Sequence, residues 1–328
     1  TEYLIFSHPS IFLIVTKLFN LMLTYSYVPA SFGVSYTVPL LKVFQSRSRN
    51  LTVDDFRGIA ISVVLSKVFE KCILYRFGDY FLTGDSQFGF KPKSSCSQAI
   101  FAVRSYCDYI VNNGGTANIC AIDISKAFDK LNHKCIFIKL IERRIPAELL
   151  HCLMNWFSKS YSCVKWFNYY SMFYKLDQGV RQGAVLSPIV FALCIDFVTE
   201  HSVFYTSYKI FLYADDVLIV SSSFGELQSA LGRLELDLRS MDMHINAKKC
   251  ICIRVGRHFS KLCSSLVLSD GRTLPWSQEL RYLGIFIRAG QHFRCDYSNC
   301  KQKFCRSVNS MFAKLGRYAS EEVMISLV

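Results

Sequence analysis

No C-x-x-C pair occurs among the fourteen cysteines of this 328-residue chain. Cys250 and Cys252 are separated by one residue, and Cys295, Cys300 and Cys305 recur every five. Neither spacing is that of a zinc knuckle, so the thiols read as buried and reduced in an intracellular protein. The chain also lacks an apolar run of membrane-spanning length. The stretch 11–23 is interrupted by Lys17 and Asn20, which is too broken to cross a bilayer. It has no basic n-region and no small-residue cleavage site, which argues against a signal peptide. Internal repeats and low-complexity linkers are absent, and residue 1 is Thr rather than Met. The expectation is a fragment of a longer product. Acids are scarce: 25 Asp+Glu stand against 38 Lys+Arg, a net charge of +13. With 51% of residues apolar, the chain can build a large core, in two or three domains or subdomains. A basic, core-forming chain points to a polyanionic partner, most simply nucleic acid.

Apolar spacing orders the elements. Ile11, Val15, Leu18, Phe19 and Met22 share one helical face. Residues 35–40 and 56–61 read as strands, separated by a polar loop over 45–55. Ser62 is expected to cap a helix carrying Leu65, Val68, Phe69, Cys72 and Ile73. Gln87-Phe88-Gly89-Phe90-Lys91-Pro92-Lys93 reads as a basic loop broken by Gly and Pro, followed by a helix over 97–112 and a turn at Asn113-Gly114-Gly115. Residues 119–124 form a buried strand. Pro146 opens a helix, 161–178 read as an aromatic hairpin, 178–183 as a loop, and Ser187-Pro188 as a helix start. Leu227, Leu231, Leu234 and Leu238 line a further helix; 250–255 and 282–287 each read as one strand. Residues 288–328 begin something helical and basic, with seven Lys/Arg against three acids. The order strand, helix, strand-strand, helix, strand over 117–255 predicts an α+β fold with an antiparallel sheet backed by helices.

The chemistry centres on Phe211-Leu212-Tyr213-Ala214-Asp215-Asp216-Val217-Leu218-Ile219-Val220. Two adjacent carboxylates sit inside an apolar run, as two short strands meeting at a tight turn. Asp-rich turns also occur as solvated hairpin tips. A third carboxylate, Asp123 at the end of the strand 119–124, weakens that bland reading. Neighbouring like charges repel, and a hard divalent cation relieves the repulsion. Two strands that end in carboxylates suit a two-metal site, with ions roughly 3.5–4 Å apart acting on an attacking hydroxyl and a leaving pyrophosphate. Phosphoryl transfer is achieved mainly by positioning and charge neutralisation, so no nucleophilic side chain is needed.

Five ordered stretches then resemble the motifs of reverse transcriptases. Ala121-Ile122-Asp123-Ile124-Ser125-Lys126-Ala127-Phe128-Asp129 resembles motif A, Gln182-Gly183 with Ser187-Pro188 motif B, and Tyr213-Ala214-Asp215-Asp216 motif C. Ile245-Asn246-Ala247-Lys248-Lys249 resembles motif D and Tyr282-Leu283-Gly284 motif E. Phe56-Arg57-Gly58-Ile59-Ala60-Ile61, Leu65-Ser66-Lys67-Val68-Phe69-Glu70-Lys71 and Gln87-Phe88-Gly89-Phe90 resemble the polymerases of non-LTR (LINE-type) retrotransposons. The likeness covers nearly the whole chain.

The resemblance implies a right-hand polymerase fold. Residues 1–35 would be a helical lead-in, 36–287 fingers and palm, and 288–328 the start of a basic helical thumb. It implies an RNA-directed DNA polymerase that uses an RNA template, a DNA primer or target, deoxynucleoside triphosphates and two Mg²⁺ ions, for which Mn²⁺ can substitute. No membrane partner is expected. The expected location is the nucleus, with a cytoplasmic ribonucleoprotein phase. Asp123, Asp215 and Asp216 would hold the metals, with the Ile124 carbonyl as a further ligand. Phe128 would discriminate the sugar, or else be an ordinary core ring. Gln182 would line the nucleotide pocket and Gly183 would allow close backbone approach. Arg57 and Lys42 would meet the triphosphate, with a solvated surface residue as the alternative reading of Lys42. Lys249, with Lys248 as its alternate, would be an acid toward pyrophosphate, and Asp129 would be structural. Leu41 and Ala184 depart from the family's usual Pro and Gly without removing a catalytic group. No endonuclease stretch is seen before residue 1, and the thumb stops at Val328. An RNA-dependent RNA polymerase is a rival reading, against which Ala214 and Phe128 argue. A decayed nucleic-acid-binding remnant is another; the three intact acids argue against it, and truncation argues for it.

Overall fold

In a computed structural model of the chain, residues 6–42, 51–200, 207–316 and 318–327 are described. Most of the loop expected over 45–55 (45–50) and the basic residue Arg317 lie outside them. An N-terminal helix α1 (Pro9–Thr24) buries Phe19 and Met22, and a single turn α2 (Ala30–Gly33) leads into strand β1 (Val34–Leu41). Strand β2 (Phe56–Ser62) runs antiparallel to β1, and helix α3 (Val64–Phe77) follows it. Ser62 is not the cap of α3. It closes β2 opposite Ser35, Val63 occupies the N-cap without a side-chain bond, and the Ser66 hydroxyl donates back to the Val63 carbonyl at 2.7 Å. Strand pairing outcompeted the local capping signal. Helix α4 (Cys96–Asn112) is started by a capping box, in which Ser95 and Gln98 satisfy each other's free amides.

Strand β3 (Thr116–Ile122) is almost wholly buried. It is followed by the turn α5 (Ala127–Lys130), helices α6 (His133–Glu142) and α7 (Ala147–Ser158), and the strands β4 (Tyr161–Trp166), β5 (Tyr169–Tyr170) and β6 (Tyr174–Lys175). Helix α8 (Ser187–Glu200) precedes the hairpin β7 (Tyr208–Tyr213) and β8 (Asp216–Ser221). Helix α9 (Phe224–Ser240) and strand β9 (Ile251–Gly256) complete this region. The four central strands form an antiparallel sheet in the order β7-β8-β3-β9. It is covered on both faces. Ala117, Ile119, Leu218 and Val220 pack toward Val103, Cys107 and Ile110 of α4. Cys120, Ile122, Val217 and Ile219 pack toward the leucines of α9, of which Leu227, Leu231, Leu234 and Leu238 are buried. The expected antiparallel sheet backed by helices is present. Burial on both faces explains why β3 and β8 are continuous apolar runs rather than alternating ones.

A second sheet has the order β2-β1-β4-β5, with β6 also on β4. Its β1–β4 pairing is parallel and joins segments far apart in sequence. A short hairpin, β10 (Leu266–Val267) and β11 (Thr273–Leu274), precedes a third sheet: β12 (Glu279–Tyr282), β13 (Ile285–Arg288) and β14 (Arg294–Asp296). Residues 282–287 are therefore the closing turn of a hairpin and not one strand. Leu283 and Gly284 turn the chain at φ 45° and 89°, and the glycine supplies the conformation that breaks the apolar run. Helices α10 (Ser298–Leu315) and α11 (Glu321–Leu327) follow. Among the described residues no helix is long and apolar enough to cross a membrane.

Candidate active site

Neighbouring strand ends bring the acids together. Ile122 pairs with Val217, so Asp123, one residue past β3, lies beside the start of β8 at Asp216. Asp215 occupies the turn between β7 and β8, where Ala214 takes a left-handed φ of 58°. Asp215 and Asp216 are solvent-accessible and Asp123 is half-buried. The apolar mass around Asp216, then the charges of Asp215 and Asp123, push its carboxyl up to about 6, and Arg281 on β12 pulls it back. Because the residue still meets solvent, the like charges are the part of that shift that a bound cation can reverse.

Residues 244–246 are laced to the strand end. The Ser125 amide donates to His244 O and the Asn246 amide to Asp123 O, both at 2.9 Å, and Ile124 bridges Ile245. Ile124 itself is buried. A turn from Asn246 then carries Lys249 back, so that its Nζ stands 3.7 Å from Asp123 Oδ2. The ammonium meets the carboxylates where added positive charge is most useful. Among the described residues no three His, Cys, Asp or Glu side chains close on one ion position. The acids nevertheless fit divalent cations. They are hard oxygen donors, they repel one another, and they leave coordination positions open for phosphate oxygens.

The other expected site residues divide into two groups. Gln182 and Gly183 join β2: the Ala60 amide donates to Gln182 O at 2.7 Å, and Gly183 has a φ of 123°. A Cβ on Gly183 would lie 2.5 Å from the Ala60 carbonyl oxygen, so the close approach that glycine allows is to β2. The Gln182 amide donates to Asp129 Oδ1 at 3.3 Å, which gives Asp129 a structural partner. Phe128 is half-buried, stacked on the core ring Phe191 at 4.5 Å with Phe90 edge-on at 6.2 Å. Arg57 is exposed on β2 opposite Leu40. Lys42 is held by Asp54. Its Nζ donates to the Asp54 carbonyl at 2.7 Å, while the Asp54 carboxylate holds Lys126 at 3.0 Å.

Three supporting groups went unread in the sequence. Arg281, just before Tyr282-Leu283-Gly284, is the cation nearest in effect to Asp216. Arg181 is half-buried and donates to Phe32 O at 3.2 Å, Gly33 O at 2.7 Å and Ser160 Oγ at 2.9 Å. Glu70, its carboxyl raised by burial, accepts the Val185 amide at 2.6 Å. Together the last two clamp the Gln182–Ala184 loop from both sides. Their only signal was position, inside the quoted helix 65–71 and the loop 178–183.

Comparison with known proteins gives a family and a fold. The family profile described as reverse transcriptase (RNA-dependent DNA polymerase) matches residues 47–287. The Pol polyprotein of the type-2 retrotransposable element R2DM of Drosophila melanogaster is 24% identical over 297 residues, covering 86% of this chain and 28% of that protein. The RNA-directed DNA polymerase from the mobile element jockey of the same fly is 24% identical over 312 residues, covering 90% and 33%. The chain thus spans about a third of the length of these relatives. Among solved structures, apo telomerase from Candida tropicalis truncated from its C-terminal domain superposes with a TM-score of 0.56 at 12% identity, over 88% of this chain and 60% of that one. At that identity the likeness is one of fold: fingers and palm of a right-hand polymerase.

Proposed function

The chain belongs to the reverse transcriptase family, and from that premise we propose that it extends a DNA primer on an RNA template, as the polymerase of a non-LTR retrotransposon. The observation that carries this reading is the meeting of Asp123 with Asp215 and Asp216 at adjacent strand ends. The family uses divalent cations; Mg²⁺ is the proposed ion here, with Mn²⁺ as a substitute. Asp123 and Asp215 would hold the ions, Asp216 would complete the acidic cluster, and the Ile124 carbonyl would be a further ligand. When bound, the ions supply Lewis-acid charge at the primer hydroxyl and at the leaving pyrophosphate.

The chain's own residues do the rest. Arg57 offers a forked donor to the triphosphate of an incoming deoxynucleotide. Gln182, fixed on β2 through its carbonyl, lines the nucleotide pocket. Phe128 presents a ring where the sugar would lie. Lys249, whose Nζ is 3.7 Å from Asp123 Oδ2, would give a proton to departing pyrophosphate. Lys42 serves the triphosphate only if it leaves Asp54.

The test is RNA-templated primer extension with Mg²⁺, comparing the wild type with Asp215→Asn. The substitution is nearly isosteric and removes one charge. Extension is expected to fall roughly a thousandfold or more, the scale of ~4 kcal/mol of charge stabilisation, with an unchanged thermal midpoint. Substantial extension by the purified variant would sink the assignment.

A further inference from the structure

Strand β7 is the outer strand of the central sheet, and such an edge needs cover. It is covered by the stretch expected to be a plain basic loop. The Leu212 amide donates to Ser86 O and the Phe88 amide to Leu212 O, both at 2.8 Å, so that Gln87 bridges Leu212 in parallel. The Gln87 side chain is fully buried. Its Oε1 accepts two amides, Gly89 N at 2.8 Å and Ala214 N at 3.1 Å, whereas its Nε2 has no partner among the described residues. What the amide contributes to the fold therefore lies on the oxygen alone. A buried donor without a partner is unfavourable, so an amide here is not the choice that packing by itself would favour.

The amide that Gln87 holds belongs to the turn of the acids. Ala214 is in the left-handed region at φ 58°, a conformation that an L side chain keeps only under external constraint. The next residue is Asp215. The backbone is pressed there as well: a Cβ on Gly89 would lie 2.2 Å from Ala214 N. One residue further on, Phe90 meets Phe128 edge-on at 6.2 Å. A single short stretch thus touches both the acidic turn and the ring proposed to face the sugar.

We propose that Gln87 is a positioning residue for the polymerase reaction: its Oε1 fixes the Ala214–Asp215 turn, and with Gly89 and Phe90 it sets that turn's distance from Phe128. This rests on the polymerase reading above. It assigns Gln87 no contact with substrate.

The experiment compares the wild type, Gln87→Met, which keeps the bulk and removes the acceptor, and a buried core control on α7, outside the central sheet and the two helices that cover it, Leu153→Ala. Two quantities are read well below the unfolding temperature: steady-state kcat and KM for one dNTP, and amide hydrogen exchange over residues 208–221 with neither metal nor substrate. For Gln87→Met the expectation is a kcat lower by roughly 10- to 100-fold, the usual consequence of a displacement near 1 Å. Its KM should change little, and exchange at the turn should be faster. The control should show neither effect. If Gln87→Met does not fold, Gln87→Asn, which withdraws the acceptor by one methylene, takes its place with the same expectations. Wild-type exchange and kcat in the variant would overturn the proposal, and so would equal changes in the control. If the wild type extends no primer, the polymerase reading fails, and the exchange arm alone still decides whether Gln87 holds the turn.

Discussion

In the sheet β7-β8-β3-β9 nearly every residue of β3 and β8 is buried, whereas in the sheet β2-β1-β4-β5 only Ser35 of β1, Ala60 of β2 and Ser162 and Cys163 of β4 are. The first has helices against both faces; the second is open. Register adds a chemical contrast. Arg57, Ile59 and Ile61 stand opposite Leu40, Val38 and Tyr36, so one face of the open sheet carries a cation among apolar side chains. The hairpin beyond it exposes Phe167, Tyr169, Met172 and Phe173. Carboxylates end the closed sheet, and Arg57, the cation proposed to meet the triphosphate, lies on the open one. Metal-binding acids must be held to a fraction of an ångström, which a doubly covered sheet achieves. A surface that meets a ligand must stay uncovered until the ligand arrives.

The most damaging way to break this comparison is in the closed sheet. Leu218 is fully buried on β8, and Leu40 is 53% exposed on β1. Leu218→Ala should lower unfolding free energy by ~2–5 kcal/mol, and Leu40→Ala by no more than ~0.5 kcal/mol. Urea unfolding followed by far-UV circular dichroism measures both. Equal losses would mean that the open sheet is covered in solution and that the contrast is false.

That contrast was partly legible beforehand. Continuous apolar runs at 119–122 and 217–220 announce strands buried on both faces, and the ordered acids mark where those strands end. The edge cover of β7 was not legible. Gln87-Phe88-Gly89-Phe90 is too short a stretch to read as a strand and has no β-branched residue, and its pairing depends on Leu212, over a hundred residues away. The parallel contact of β1 with β4 is hidden for the same reason. Half-buried Arg181 and buried Glu70 were missed because a charged residue reads as surface until its partners, here distant carbonyls and amides, are known. The hairpin in 279–288 was concealed by an apolar run, with Gly284 as its one local signal.

Phe128 lies where the two regions meet, and it supplies a second and smaller perturbation. A ring in the space of a 2′-hydroxyl leaves that group desolvated and unbonded, at ~1–3 kcal/mol, roughly a 5- to 150-fold preference for deoxynucleotides. Phe128→Val should raise kcat/KM for GTP far more than it lowers that for dGTP. Because Phe128 stacks on Phe191 at 4.5 Å, Phe191→Leu is the needed comparison. A dGTP/GTP ratio that moves only in Phe128→Val places the gate at its exposed edge. A ratio that moves in both makes it a packing effect, and one that moves in neither puts the gate elsewhere.

The smallest expected effect tests whether other uncovered surfaces behave like the open sheet. Helix α10 buries no residue, yet it carries Lys301, Lys303, Arg306 and Lys314. If it lies along a template–primer duplex, each phosphate contact steepens log K against log salt by ~0.9, so a Lys301→Gln, Lys303→Gln, Arg306→Gln triple variant should flatten the slope by up to ~2.7. Arg57→Gln should leave that slope unchanged and raise the KM for the dNTP instead, because its proposed target is the triphosphate and not the duplex. Substitution is preferable to truncation at residue 289, since β14 pairs with β13 over residues 286–288 and 294–296; a cut there would damage the third sheet and confound the result. Duplex binding from 50 to 300 mM salt would be measured by fluorescence anisotropy. A flatter slope in the triple variant with an unchanged slope in Arg57→Gln separates a helix that reads backbone charge from a sheet that reads the nucleotide. An unchanged slope in both means that α10 does not touch the duplex, and its exposed face must then be explained by a partner other than nucleic acid.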